Sequence, residues 1–301
     1  MQVGIDLGGT KIEAAVLDAA GRFLFRERVP TPQNDYLATL CAIRDLVSKA
    51  ESMCRTPCTR VGVGHPGSTD PNTGRIRNAN STCLNGQPLG TDLEALLQRP
   101  VRTANDADCL ALSEATDGAA RDYATVFGII LGTGVGGGWV INGHLLQGPN
   151  GLAGEWGHNA LPIADIDEYP GPACYCGKQG CIEAWLSGPA LVADYARCGG
   201  SATLTTVPML IAAAGGGDAQ AQAALDRHSQ RLARALAVLI NACDPAAIVL
   251  GGGVSQRPGL IDGLYAELPN QVFLPPETPF KTRLLLPQFG DSSGVRGAAR
   301  L

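Results

Sequence analysis

No run of basic residues occurs anywhere in the 301 positions, and 23 Lys and Arg against 28 Asp and Glu leave a formal charge of −5. With a pI near 5.4, that balance gives no general attraction to nucleic acid or to an anionic membrane, so neither partner is expected. No apolar run reaches the length needed to cross a bilayer. Met1 leads directly into a strand-and-glycine pattern, without the charged and apolar regions of a secretory signal. The expected location is cytoplasmic. In that compartment ten scattered cysteines are not a disulfide framework. Cys41, Cys54, Cys58, Cys83, Cys109, Cys198 and Cys243 are expected to be plain thiols.

Two nucleotide signatures are also missing. Gly9-Thr10-Lys11 lacks the earlier glycine of a Walker sequence. Gly132, Gly134 and Gly137 fit G-x-G-x-x-G only formally, because the run continues into the strand-like Trp139-Val140-Ile141 instead of opening a helix.

What the chain does contain is ordinary for a compact protein: 45% apolar and 17% charged residues, with length enough for two domains, each with its own core. Strand-like segments alternate with helical ones, which predicts an α/β architecture. Val3 to Asp6 and Ile12 to Leu17 read as a hairpin with a glycine tip. Helical spacing follows at Leu37, Leu40, Cys41, Val47 and Ala50, strands at Arg60 to Gly64 and Val101 to Ala104, and a short helix at Leu93 to Leu97. Later, Ala219 to Ala242 carries an apolar stripe, Ala247 to Leu250 is a buried strand, and Gly259 to Leu268 is helical. The segment from Phe127 to Gly132 repeats the glycines, the isoleucine and the leucine of Val3 to Gly8, 124 positions later (127 − 3), and both copies run into a glycine turn and a new strand. This predicts a duplicated core with glycine loops facing a cleft.

Three strand-terminal glycine clusters stand out: Gly8-Gly9-Thr10, Gly132-Thr133-Gly134, and Gly251, Gly252 and Gly253. Glycine lets backbone N–H groups approach an anion, so phosphate binding is the functional reading and tight turning is the alternative. Asp6 beside the first cluster could hold Mg²⁺ or merely cap a turn. Lys11 could meet a phosphate or simply be exposed.

The segment Gly154 to Trp185 concentrates the remaining chemistry. Cys174, Cys176 and Cys181 are spaced C-x-C-x4-C, and His158 lies upstream. Three thiolates and one imidazole make a closed tetrahedral set for structural zinc, although the spacing is not that of common fingers and free thiols are the alternative. CYCGKQGC lacks helical or strand periodicity and needs another source of order.

In this order, Asp6-Leu-Gly-Gly-Thr-Lys11, Gly132-Thr-Gly-Val-Gly-Gly137, Gly154-Glu-Trp-Gly-His158, the CxCGxxGCxE run from Cys174 to Glu183 and the strand before Gly251 resemble the ROK family of sugar kinases and repressors over essentially the whole chain. The resemblance implies an actin-like ATPase, ribonuclease H-like fold of two duplicated α/β domains with an interdomain cleft. The expected division is 1–117 plus about 290–301 for the smaller domain and 118–289 for the larger, which carries the zinc loop. It implies ATP and Mg²⁺ as cofactors beside structural Zn²⁺, with a nucleotide set of Gly4, Asp6, Gly8, Gly9, Thr10, Lys11, Gly132, Thr133, Gly134, Gly136, Gly137, Gly251, Gly252 and Gly253. Asp106 becomes the general base toward the sugar hydroxyl, a role its residues alone would not favour over a helix N-cap. Asn80, Asn105, Glu155, His158 and Glu183 would join it in holding the sugar, with His158 giving one ring nitrogen to the metal and one to a hydroxyl.

Three segments, Asn78 to Pro88, Cys174 to Glu183 and Gly290 to Ala299, look most like bacterial fructokinases of the mannofructokinase type. The expected reaction is therefore phosphorylation of fructose on its 6-hydroxyl. N-acetylglucosamine kinase or glucokinase activity is the alternative. A sugar-responsive repressor is disfavoured because no helix-turn-helix precedes the first strand. A homodimer is expected from the resemblance.

Overall fold

Residues 1–275 and 277–301 are described by a computed structural model of the chain. Its first sheet has the order β3-β2-β1-β4-β7, built from β1 (Gln2–Leu7), β2 (Lys11–Leu17), β3 (Phe23–Pro30), β4 (Arg60–His65) and β7 (Val101–Asn105). β1 and β4 are central and covered on both faces, so they read as nearly unbroken apolar and glycine runs. The edge strand β3 instead exposes Arg26 and pairs it and Arg28 with the buried Glu13 of β2. The chain doubles back from β1 to β2 to β3 antiparallel, then crosses over twice to add β4 and β7 parallel.

Between these strands lie α1 (Tyr36–Cys54), the short strands β5 (Ser68–Thr69) and β6 (Ile76–Arg77), and α2 (Leu89–Leu97). Asp35 caps α1 through the Ala38 N–H at 2.9 Å, and Arg55 in the left-handed region ends it. The buried stripe Leu40, Ile43, Leu46, Val47 and Ala50 then joins Val3, Ile5, Val61 and Val63 in one core. α2 starts four residues before the expected Leu93, because Leu89 anchors a first turn whose Gly90 and Thr91 carry no helical signal.

β7 hands directly to α3 (Asp106–Thr116), after which the strand pattern repeats. β8 (Thr125–Leu131), β9 (Val135–Ile141) and β10 (His144–Leu145) are followed by α4 (Ile182–Leu186), α5 (Gly188–Arg197), α6 (Val207–Gly215), α7 (Ala219–Cys243) and β11 (Ala247–Gly251), then by α8 (Leu260–Glu267), β12 (Arg283–Leu285) and α9 (Ser293–Ala298). The second sheet has the order β10-β9-β8-β11-β12, the same path as the first with each strand replaced by its later counterpart. The duplicated core expected from two short matching segments is present as topology. Helices α5 and α6 were not expected, yet both carry start signals: Ser187 and Thr206 cap them, each with a proline in the first turn.

The chain divides into two compact units. The first comprises Met1–Gly128, Gly138–Gly154 and Pro287–Leu301, the second Ile129–Gly137 and Glu155–Leu286. These bounds differ from the expected break at 117/118, since β8 and β9 each run through a boundary and the segment 138–154 belongs with the first unit. The C-terminal return is held by Glu114 of α3, whose fully buried carboxylate accepts from the Gln288 and Phe289 N–H groups and the Ser293 hydroxyl. Within the second unit, Arg231 of α7 bridges Glu168 and the buried Asp194, both at 2.9 Å, with its guanidinium 4.3 Å from the centre of the Trp185 ring.

Candidate active site

In the first unit, Asp6 lies in the middle strand of the sheet, opposite Glu13 on one side and Gly64 on the other. Burial, helped by the negative charges of Asp106 and Glu13, raises its carboxyl to about 7, against a smaller opposing pull from Lys11 and Arg28. This carboxylate is thus short of positive charge, and its hard oxygens suit a divalent cation such as Mg²⁺. Lys11 opens β2 and is the stronger of the two cations in that balance.

The Asn105-Asp106 pair sits where β7 becomes α3. The cap is Asn105: its Oδ1 accepts from the Ala107 N–H at 2.8 Å while its Nδ2 donates to the Gly67 carbonyl at 2.7 Å. Asp106 is the first helical residue, and its Oδ1 also takes the Ala107 N–H at 2.8 Å. The cap role that competed with catalysis for Asp106 therefore falls mainly to its neighbour. Beside them, buried His65 donates from Nδ1 to the Pro66 carbonyl and receives the Thr69 hydroxyl at Nε2, and burial lowers its pKa. Asn80 is exposed on the following loop, which Asn85 closes by bonding both polar groups of Ala79.

The expected nucleotide glycines separate into different classes. Gly8 and Gly9, with Thr10, form the tip of the first hairpin, closed by the Gly8 N–H on the Lys11 carbonyl at 3.0 Å. Gly4 does not reach this tip: a Cβ there would stand 2.4 Å from the Ala299 nitrogen, so it is the close approach of α9 that demands glycine. Gly252 likewise serves packing, its missing Cβ lying 2.2 Å from the Leu131 carbonyl oxygen. Gly137 and Gly251 are buried within β9 and β11, and the Gly136 carbonyl accepts from Trp156 Nε1 at 3.1 Å. Gly132, Thr133 and Gly253 remain on an open surface: all three line a 660 Å³ cavity in the second unit, together with Gly188, Pro189, Val192 and Thr206. Its walls, mostly apolar, come from α5 and α6 and the segment between them. Those wall residues were invisible in the sequence, where no periodicity marks a ligand surface.

The Gly154 to Trp185 segment also lies largely in the second unit. Gly157 is required there because a Cβ would meet the Val135 carbonyl oxygen at 2.1 Å, pressing the Glu155–His158 turn onto β9. Single bridges, Ala160 to Cys181 and Ala173 to Gln179, supply the order that CYCGKQGC lacked in its periodicity. His158, Cys174, Cys176 and Cys181 place one ligand atom each within 4.8 Å of one another. The His158 Nδ1 to Cys174 Sγ distance and the Cys176 to Cys181 Sγ separation are both 3.6 Å, near the edge of about 3.8 Å for a tetrahedron of zinc–sulfur bonds. Burial, then the neighbouring thiols, push Cys181 up to about 12. A cation is what would let such crowded thiols ionise, so the set fits Zn²⁺.

The other ring nitrogen, His158 Nε2, lies 3.1 Å from the Tyr175 hydroxyl. Glu155 and Glu183 also act on that phenol, raising it to about 12 behind the larger effect of burial. Both glutamates thus act on the phenol that faces His158, and Tyr175 is a member of this polar group that sequence reasoning missed. Glu183 is fixed by the Val135 N–H at 2.8 Å.

The chain matches the ROK family over residues 2–301. It is 40% identical to the N-acetyl-D-glucosamine kinase of Yersinia pseudotuberculosis serotype O:1b (strain IP 31758), with 100% of this chain and 98% of that protein covered. A ROK hexokinase structure from Thermus thermophilus superposes with a TM-score of 0.85 at 33% identity, covering 99% and 96% of the two chains. A ROK glucokinase from Streptomyces griseus, solved with glucose and AMPPNP, gives 0.80 at 31%, covering 99% and 98%. The duplicated sheets, the glycine turns and the His-Cys₃ loop thus belong to a chain that is a member of the ROK family, with its actin-like ATPase fold.

Proposed function

We propose that this chain is an ATP-dependent sugar kinase acting on N-acetylglucosamine. The observation that carries the substrate is the end-to-end identity of 40% with N-acetyl-D-glucosamine kinases. It favours the alternative over the fructose reading, which rested on the likeness of three short segments. Pocket differences of a few atoms change hexose preference at modest cost, so short motif likeness is weak guidance.

The apolar cavity beside Gly132, Thr133 and Gly253 suits a nucleoside, with the adjoining turns offering N–H groups to its phosphates. Asp6 would hold Mg²⁺, which when bound offsets the charge of the phosphates and of the carboxylate pair. Zn²⁺ would be held by His158, Cys174, Cys176 and Cys181 and would supply rigidity only, because four protein ligands leave no open position. Glu155, Glu183 and His158 Nε2 accept or donate hydrogen bonds to sugar hydroxyls, with Tyr175 yielding its place on Nε2. Asp106 accepts the proton of the 6-hydroxyl, the primary one, as that oxygen attacks the γ-phosphoryl group in line. Asn105 fixes the start of α3 and with it the direction of Asp106.

Asp106→Asn keeps the shape and removes the base. Turnover should fall by about 10²–10⁴-fold, while calorimetric affinity for N-acetylglucosamine stays close to that of the unaltered protein. Turnover within about tenfold of the original would place the base elsewhere.

A further inference from the structure

Gly134 occupies the turn between β8 and β9, in the glycine cluster that the sequence associates with phosphate. Its surroundings point to the sugar instead. A Cβ built on Gly134 would lie 2.5 Å from Glu183 Oε2 and 3.5 Å from Glu183 Cδ, and apart from its chain neighbours nothing else among the described residues comes within 4 Å of it. The next residue, Val135, gives its N–H to that same Oε2 at 2.8 Å. A Cβ built on Gly132, two residues earlier, would among the described residues meet only Ile130 Cγ2 at 3.9 Å, and Gly132 lines the apolar cavity, as Gly134 does not.

We infer that Gly134 is a positioning residue for the sugar: its missing side chain is the space that the Glu183 carboxylate fills, and Glu183 thereby ties the sugar wall to the nucleotide turn. Oε2 is committed to Val135, which leaves Oε1 to accept from a hydroxyl. The backbone at Gly134 does not lie in the left-handed region, so alanine is conformationally allowed there. The atom that a methyl would displace is the far end of a side chain, not backbone. Gly134→Ala should therefore leave the fold intact and move one carboxylate. The inference rests on the kinase reading, in which Glu183 meets the sugar.

The test compares Gly134→Ala with the unaltered protein in three measurements: sugar KM at saturating ATP, AMPPNP affinity by calorimetry without sugar, and thermal midpoint. The sugar used is the one that the unaltered protein phosphorylates best. Sugar KM should rise about tenfold or more, with AMPPNP affinity within about twofold and the midpoint within about 2 °C. Shortening the carboxylate makes room for the methyl, so Gly134→Ala in a Glu183→Asp background should cost less than the same change alone. Glu183→Asp by itself, which draws the carboxylate from Val135, should raise sugar KM and spare AMPPNP; if Gly134→Ala alone does not fold, recovery of folding in the Glu183→Asp background supports the contact and no recovery overturns it. Loss of AMPPNP affinity with sugar KM unchanged would assign Gly134 to the phosphates and overturn the inference, as would no change in either. If the unaltered protein phosphorylates no sugar, the kinase reading fails first and takes the inference with it. If it is an active kinase and sugar KM ignores Gly134, the inference alone fails.

Discussion

Asp6 and His228 show how far single residues are set by what surrounds them. Asp6 is held near 7 by burial and by Asp106, which costs stability in the absence of a cation but leaves a carboxylate that gains from one. His228 of α7 is buried, donates from Nε2 to the Leu186 carbonyl at 3.0 Å, and is lowered to about 4, first by burial and then by Arg257. Unfolded, this imidazole takes up its proton near 6.5. Between those values the unfolded chain binds more protons, so the contribution of His228 is complete above 6.5 and is lost as pH falls toward 4, by up to about 3 kcal/mol. Asp6 acts in the opposite sense over a similar range, so the variant must be compared with its parent at each pH. His228→Gln keeps a donor for Leu186 and removes the titration. Its thermal midpoint should fall less steeply than the parent's from pH 7 to 4.5, and parallel curves would rule out this assignment.

At the scale of elements, the hairpins and the long helices were legible because periodicity and punctuation report them directly. The first hairpin, its later copy, α1 and α7 all lie where apolar spacing and glycine turns placed them. What each glycine does was not legible. Gly4, Gly134 and Gly252 look alike in sequence, yet a Cβ on each would meet a different neighbour distant along the chain, backbone at Gly4 and Gly252 and a side-chain end at Gly134. The pair Asn105-Asp106 had the same difficulty, since either residue type caps a helix and only the geometry divides the work. The His158 and cysteine cluster was legible as a donor set, whereas Tyr175 and the walls of the apolar cavity were not, because hydroxyl and small apolar residues carry no motif. If zinc orders the loop, Cys181→Ser should lower zinc content measured by atomic emission and raise sugar KM by about tenfold or more, with AMPPNP affinity nearly unchanged. Loss of zinc with an unaltered sugar KM would remove the loop from the sugar wall.

Across the whole molecule, two copies of one five-strand path have diverged into different tasks. The first carries Asp6 and Asp106, while the second carries the glycine turn on the apolar cavity and the branch that becomes the His158 and cysteine loop. Duplication was readable from four matching positions because they fall at the same point of the same strand–turn–strand path. The sugar was not readable, since preference among hexoses rests on a few loop atoms whose positions no spacing rule fixes. The most direct measurement is ADP release from the purified protein with ATP and a panel of N-acetylglucosamine, N-acetylmannosamine, glucose, mannose and fructose. The highest kcat/KM is expected for N-acetylglucosamine, at least about tenfold above fructose; equal or greater efficiency with fructose, or no ADP release with any sugar, would contradict the proposed function.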